Sequence, residues 1–390
     1  MQVLERVLAH PALAGARGAI PEDVLAVGGV VRDALLDRPA GPDVDLVVDG
    51  DPGPVAESLA ARLDGRLTAH PEFRTAEIRR ADGHVVDLVG ARAERYPEPG
   101  ALPEVRAGTL AEDLARRDFS INAMALRLAG SEAGTIVDSH DGGADLAAGV
   151  IRVLHAVSFT DDPSRVVRAT RYGARLGFVL EPDTERLARA AAGAVDPENA
   201  RVQAELVRLL DEPEVAEGLA RLSDLGVGWL VPRGALVPAV GAALEASRQL
   251  RVPSEDRAAA ILASAADATP EAFGLPGPLD RALRDARAGA QAADALGVGP
   301  RLSQVDRLLD GMGAAGAVGA LGAGCSLVAE WWPKRGGATL EITGDDLIDA
   351  GVAPGPALGR GLMAARAASL DGEAADRGSQ LELAVRVAGR

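Results

Sequence analysis

The hydrophobic rhythm of the chain changes along its length. Val24-Leu25-Ala26-Val27 is an unbroken apolar run that stops at Gly28-Gly29, which predicts a buried strand and a turn. Val30 to Leu36 then has helical spacing, and Asp45-Leu46-Val47-Val48 predicts a second strand. Thr75 to Arg80 and His84 to Val89 flank Ala81-Asp82-Gly83, the pattern of a hairpin. The first 150 residues therefore mix strands with helices.

From about Glu112 the strand pattern fades. Asp161-Asp162-Pro163 predicts a helix start, with acidic caps and proline in the first turn. Leu206 to Leu210 and the set Val215, Leu219, Leu222 and Leu225 have helical spacing, with a break at Asp211-Glu212-Pro213. Beyond them, Ala- and Gly-rich helices are separated by turns at Gly274 to Pro278, Gly297 to Pro300 and Pro354 to Pro356. Met312 to Ala329 carries no charge and approaches the length of a membrane span, but Gly and Ala dominate it and Asp310 and Glu330 bracket it. A buried small-residue helix is expected there. The fold class is α+β, a mixed head followed by helices.

Composition narrows the chemistry. Among 390 residues the net charge is −16, which argues against gripping nucleic acid by bulk charge yet leaves room for a local basic groove. One cysteine, Cys325, excludes an intrachain disulfide and a multi-cysteine zinc site. The five histidines show no metal-site spacing, and His140-Asp141, followed by two glycines, reads as a turn. Met1 to Arg6 lacks the pattern of a secretion signal, so a cytoplasmic location is expected.

Asp43-Val44-Asp45 opens a strand, where side chains two apart share a face. Two carboxylates so placed repel unless a cation lies between them, and Mg²⁺ suits oxygen ligands of this kind. Alone, such a pair reads first as two solvated acids in a turn. Upstream, however, Gly28-Gly29 lies between strand and helix, where backbone N–H groups can approach a phosphate, and Arg32 follows one turn later. Asp87 is a carboxylate inside an apolar strand, either a third acid or a partner of Arg92. Arg116-Arg117 precede an apolar run that reads as helical.

Asp162, Arg165, Arg168, Arg171 and Arg175 recur every three or four residues along one predicted helix. Arginines gathered on one face of an acidic chain point to an anion opposite them, triphosphate or RNA backbone. Asp162 and Arg165 also suit base reading. Cytosine and adenine each present an amino donor beside a ring-nitrogen acceptor, and uracil and guanine reverse that order. A carboxylate with a guanidinium would select the first pair.

These motifs, in this order, resemble the class II tRNA nucleotidyltransferases and bacterial poly(A) polymerases. Gly28 to Asp33 with Asp43 to Asp45 looks like the family's first motif, and Asp87 to Arg92 with Glu94 and Tyr96 like its second, leading into a flexible loop over Ala91 to Leu114. Arg116 to Ala123 is similar to the RRDFTxNA signature, with Ser120 in place of Thr. Asp161 to Arg168 is similar to EDxxRxxR, Arg201 to Glu205 to ERxxxE, and Gly344 to Leu347 with Pro354 to Pro356 to a tail element.

The resemblance implies a polymerase-β-like nucleotidyltransferase head over 1–150, a helical neck recognising the nucleotide base over 151–212, and a helical body and tail binding RNA over 213–390. It implies template-independent transfer of C and A from CTP and ATP to the 3′ end of tRNA, with Mg²⁺ on Asp43 and Asp45 and with Asp87 as a further catalytic acid. Gly28, Gly29, Arg32 and Arg117 would hold triphosphate. Asp162 and Arg165 would read the base, supported by Arg168 and Arg171. Partial enzymes adding only CC or only A, poly(A) synthesis, and an RNA-binding protein with an inactive head are the alternatives.

Overall fold

The computed structural model describes residues 2–39, 41–98, 100–267, 273–296, 299–335 and 340–389. The chain falls into two units, Met1–Asp196 and Pro197–Arg390.

In the first unit, α1 (Gln2–Leu8) leads to β1 (Val24–Val27), α2 (Gly29–Leu35), β2 (Asp43–Val48) and α3 (Pro52–Leu63). Then come β3 (Arg66–His70), β4 (Thr75–Arg79), β5 (Val85–Gly90), β6 (Arg92–Arg95), β7 (Glu104–Ala107) and α4 (Leu110–Ala115). The unit continues through β8 (Met124–Arg127), β9 (Ile136–Asp138), α5 (Gly142–Ala148), β10 (Val150–Ile151) and α6 (Ser158–Asp161). It ends with α7 (Ser164–Leu176), β11 (Val179–Leu180) and α8 (Pro182–Ala191). Seven strands form one mixed sheet in the order β3-β4-β5-β2-β1-β8-β9. Only the β2–β5 pair is parallel in it.

The first strands follow their sequence pattern closely. β1 is buried at every position, as a continuous apolar run in a central strand must be. In β2, Asp43 and Asp45 are exposed while Val44, Leu46, Val47 and Val48 are buried, so the two acids stand on the open face. The register aligns Val27 with Asp45 and Asp45 with Asp87. The glycine turn after β1 thereby arrives beside both carboxylates.

Four expectations need correcting. Strands do not vanish after Glu112: β8 and β9 extend the main sheet, and β10 pairs with β11. The apolar run after Arg117, expected as helical, is a short 3₁₀ turn over Ser120–Asn122 followed by β8. Its Ala, Met and Leu favour a helix, but Leu126 and its neighbours complete the sheet beside β1, and tertiary pairing overrides propensity. The loop expected over Ala91 to Leu114 contains the antiparallel β6–β7 hairpin and most of α4.

The helix expected over Met312 to Ala329 is two, belonging to the second unit. That unit comprises α9 (Ala200–Leu210), α10 (Val215–Asp224), α11 (Arg233–Leu250), α12 (Ser254–Ala265) and α13 (Gly277–Ala295). Next are α14 (Leu302–Leu309), α15 (Ala314–Gly322), α16 (Val328–Trp331), α17 (Gly344–Asp349), α18 (Pro356–Leu370) and α19 (Arg377–Ala388). Gly324, at φ 103°, separates α15 from α16. Small residues bring α15 against α13: a methyl group added at Gly319 would lie 1.9 Å from the Ala286 carbonyl oxygen. Proline or glycine marks the starts of α13 and α18 as expected. In the turn expected at Gly297 to Pro300, residues 297 and 298 lie outside the described residues. Among the described residues, no helix is long and apolar enough to cross a membrane.

Candidate active site

A cleft of about 320 Å³ opens in the first unit between the interior strands β2 and β5 and the start of α7. Its floor carries Asp45 and Val89; its walls include Arg116, Arg117 and Asp118 on one side and Asp162, Arg165 and Arg168 on the other. Residues far apart in sequence meet here because β1 ends opposite Asp45 of β2, Asp45 pairs with Asp87 of β5, α4 hands the chain to Arg116, and α7 begins just after Asp162.

Gly28 shapes the floor. Its φ of 74° and ψ of −134° belong to a region that residues with a Cβ avoid. A methyl group there would lie 3.2 Å from Arg117 Nη1 and 3.4 Å from Asp45 Oδ2. The missing side chain leaves a recess between a cation and a carboxylate, where backbone and ligand can approach closely.

The acids on the floor are crowded by like charge. Burial pushes the Asp87 carboxyl up to about 6, and Asp45, Glu77 and Asp43 add to the shift while Arg79 opposes it. Burial raises Asp45 as well; Arg117 acts against that, and Asp43 and Asp113 act with it. Asp45 nevertheless keeps its face to solvent, so water and ligand oxygens can reach it. Among the described residues no group of three or more His, Cys, Asp or Glu side chains encloses an ion. Asp43 and Asp45 instead form an open pair, the arrangement in which phosphate oxygens and water complete the coordination of a hard divalent cation.

The arginines are held by buried acids. Asp113, on α4, accepts from Arg116 Nη2 at 2.6 Å and from Arg117 Nη2 at 3.0 Å. Arg116 also donates to Glu94 at 2.8 Å, and Glu94 receives Arg92 at 3.3 Å. Arg92 thus pairs with Glu94, and not with Asp87 as one reading of the sequence had it. Asp118 accepts from Asn122, from the Phe119 N–H and from Arg168 at 3.2 Å. Burial opposes its charge, yet Arg168, Asn122, Arg165 and the Phe119 N–H together hold its carboxyl below the usual carboxylate range.

Asp162 caps α7: its Oδ1 accepts from Ser164 N–H at 3.1 Å and from Ser164 Oγ at 2.6 Å. Arg165 donates to Ser158 Oγ at 2.6 Å and to the Arg116 carbonyl at 2.8 Å. Its Nε, like that of Arg117, is buried with no hydrogen-bond partner among the described residues. Buried donors left unpaired are costly unless a ligand completes them.

Six expected residues do not line this cleft: Gly28, Gly29, Asp43, Asp87, Arg32 and Arg171. Arg32 is buried beneath the cleft, bonded to Asp33 and, at 2.8 Å, to Asn122, with its guanidinium 4.9 Å from the Tyr172 ring centre. Arg171 is also buried and stacks at 4.6 Å on the same ring. The arginine series therefore does not form one exposed stripe; only Arg165 and Arg168 of it line the cleft. Asp113 escaped the sequence reading, although it stands three and four residues before the arginine pair, the helical spacing of an ion pair; Asn122 entered it only within the Arg116 to Ala123 motif, with no role assigned.

Comparison with known proteins adds to this geometry. The family model described as "Poly A polymerase head domain" matches residues 24–152. The CC-adding tRNA nucleotidyltransferase of Deinococcus radiodurans is 38% identical over 348 residues, 89% of this chain and 84% of that protein. The A-adding tRNA nucleotidyltransferase of Halalkalibacterium halodurans is 42% identical over 208 residues, 52% of this chain. The chain spans about half the length of that second relative, 48%. Among solved structures, an apo form of a CCA-adding enzyme superposes with a TM-score of 0.81 at 28% identity, covering 98% of this chain and 96% of the other. The Thermotoga maritima CCA-adding enzyme complexed with tRNA gives 0.77 at 26% identity, covering 99% and 98%. A CCA-adding enzyme in complex with ATP gives 0.78 at 27%, covering 98% and 96%. A polymerase-β-like head followed by a helical remainder is the shared architecture.

Proposed function

The chain belongs to the tRNA nucleotidyltransferases, and on that footing we propose that it adds C and A from CTP and ATP to the 3′ end of tRNA, building or repairing a terminal CCA. One observation carries this reading: the gap beside Gly28 borders Arg117 and Asp45, one acid of the carboxylate pair, and both line the cleft that ends on the Asp162–Arg165 helix start.

In this reading the RNA 3′-hydroxyl attacks the α-phosphate and pyrophosphate leaves. Members of the family use a divalent metal, and we take the ion to be Mg²⁺ held by Asp43 and Asp45. Bound there, it supplies charge neutralisation and hydroxyl activation for displacement at phosphorus. Gly28 admits the triphosphate to the floor. Arg117 faces it with its Nη1 turned to the recess. Asp162 and Arg165 read the base edge, and Arg168 braces that wall through Asp118. Arg32 supports the site from below through Asn122, and Arg171 packs the base of α7. Asp87 modulates the charge around Asp45.

We take the division of labour to be catalysis in 1–150, base recognition in 151–212 and RNA binding in 213–390. The same reading places the enzyme in the cytoplasm with its tRNA substrate.

A CC-only enzyme is the second reading, favoured by the CC-adding relative matched over 89% of the chain. Incubation with tRNA ending before CCA, after C, or after CC, with CTP or ATP singly, separates the two. Extension of the CC-ended substrate with ATP supports full CCA addition; its absence with intact CC addition supports the second reading, and no addition in any arm refutes both.

A further inference from the structure

We propose that Asp113 is a positioning residue that sets the enzyme's grip on the triphosphate by aiming Arg116 and Arg117 in different directions from one buried carboxylate. The inference rests on the nucleotide-binding reading of the cleft and names a residue that does not itself line it.

Asp113 has no solvent-exposed surface. A buried carboxylate is retained only when its oxygens are fully matched, and here each oxygen takes a different arginine. Oδ1 accepts from Arg116 Nε at 3.0 Å and Nη2 at 2.6 Å, while Oδ2 accepts from Arg117 Nη2 at 3.0 Å. Without Asp113, two adjacent guanidinium groups repel, and long side chains sample many rotamers. With it, they are splayed. Arg116 turns to Glu94 at 2.8 Å. Arg117 turns to the glycine recess, its Nη1 within 3.2 Å of where a Gly28 side chain would begin.

The support beneath Asp113 is rigid for so short a helix. Thr109 Oγ1 accepts from Glu112 N–H at 3.3 Å and Glu112 Oε2 accepts from Thr109 N–H at 2.9 Å, a reciprocal cap that fixes the first turn of α4. Glu112 is tied in turn to Arg106 of β7 at 2.6 Å. Leu114, fully buried in the head core beside Leu25, Val27 and Val47, anchors the helix one residue after Asp113.

If Asp113 acts by aiming cations at phosphate, its loss weakens whatever carries the β- and γ-phosphates and spares the rest. In Asp113→Asn the KM for CTP and for ATP and the inhibition constant for pyrophosphate are expected to rise together, about 10-fold or more, as loss of a charged hydrogen-bonded partner implies. The KM for tRNA and the preference for CTP over UTP should stay at wild-type values. Arg117→Ala, with and without Asp113→Asn, completes a cycle: the double variant should lose little beyond Arg117→Ala, because the carboxylate acts through that arginine.

Asp113→Glu covers the case in which the asparagine variant does not fold. It keeps the buried charge, displaces the carboxylate by one methylene, and is expected to raise the same two constants. A folded variant in either form with unchanged nucleotide KM and pyrophosphate inhibition overturns the proposal, as does a fall in kcat with tRNA and nucleotide KM moving equally. If the wild-type protein incorporates neither CTP nor ATP, the functional reading fails instead, which is a separate outcome.

Discussion

Asp45 and Asp87 stand directly opposite each other across the parallel pairing of β2 and β5. Burial first, and then the charge of Asp45, push the Asp87 carboxyl up to about 6. A carboxyl whose folded pKa lies above its unfolded value stabilises the protein at low pH, and that contribution is lost as pH rises through about 6. Neutral pH therefore carries a penalty in the metal-free protein. Asp87→Asn is expected to be more stable than wild type at pH 8 in EDTA by about 1–2 kcal/mol, after discounting for solvent screening, with the difference vanishing near pH 4. Chemical denaturation at the two pH values measures it. Equal stability at pH 8 would contradict the crowding of these acids.

The carboxylate pair gives a sharper activity prediction. Asp43→Ala and Asp45→Ala should each lower nucleotide addition by ~10³-fold or more, about 4 kcal/mol of barrier. Neither acid is part of the core, so melting temperature should hold, and Asp45→Ala should if anything melt higher in EDTA because a like charge is removed. Near-wild-type turnover of Asp45→Ala in Mg²⁺ would show that the metal lies elsewhere.

Gly28→Ala tests the recess. The substitution forces a Cβ into a backbone conformation that costs about 1–3 kcal/mol and places it against Arg117 and Asp45. Turnover should fall steeply and the KM for both nucleotides should rise, while tRNA binding is unaffected. Wild-type nucleotide KM in a folded Gly28→Ala would rule out triphosphate on this floor.

Sequence and structure agree best where a local pattern decides the geometry. β1, β2 and the β4–β5 hairpin are legible because alternation, a glycine break and an Asp-Gly turn act over a few residues. β8 is not, since Met124 to Arg127 becomes a strand through pairing with β1 and β9. The site divides the same way. Gly28 and the Asp43/Asp45 pair declare themselves by spacing. Which arginines face the cleft depends on buried partners: Asn122 and Tyr172 hold Arg32 below it, Asp118 holds Arg168 in its wall, and no spacing rule shows that difference.

The last prediction concerns base choice. Asp162 and Arg165 are both buried and sit at the mouth of α7, with Arg165 Nε unpartnered. If they read the base edge, their loss changes which nucleotide is accepted and not only how fast. Asp162→Ala removes the acceptor for the amino group of C or A, so discrimination against UTP and GTP should fall by ~1–3 kcal/mol, the usual worth of a base-edge pair. The serine cap on α7 is lost with it, so melting temperature must be measured alongside. Arg165→Ala should lower use of CTP and ATP together, and its lost bond to the Arg116 carbonyl adds a general slowing common to all nucleotides. Arg168→Ala is the control. It leaves Asp118 without its hydrogen-bonded arginine, which should slow all four nucleotides about equally and leave their ratios unchanged. The deciding quantity is the ratio of kcat/KM for CTP to that for UTP in each variant. An unchanged ratio in an active, folded Asp162→Ala would remove the base-reading role from this helix start and leave Asp162 as the cap of α7 alone.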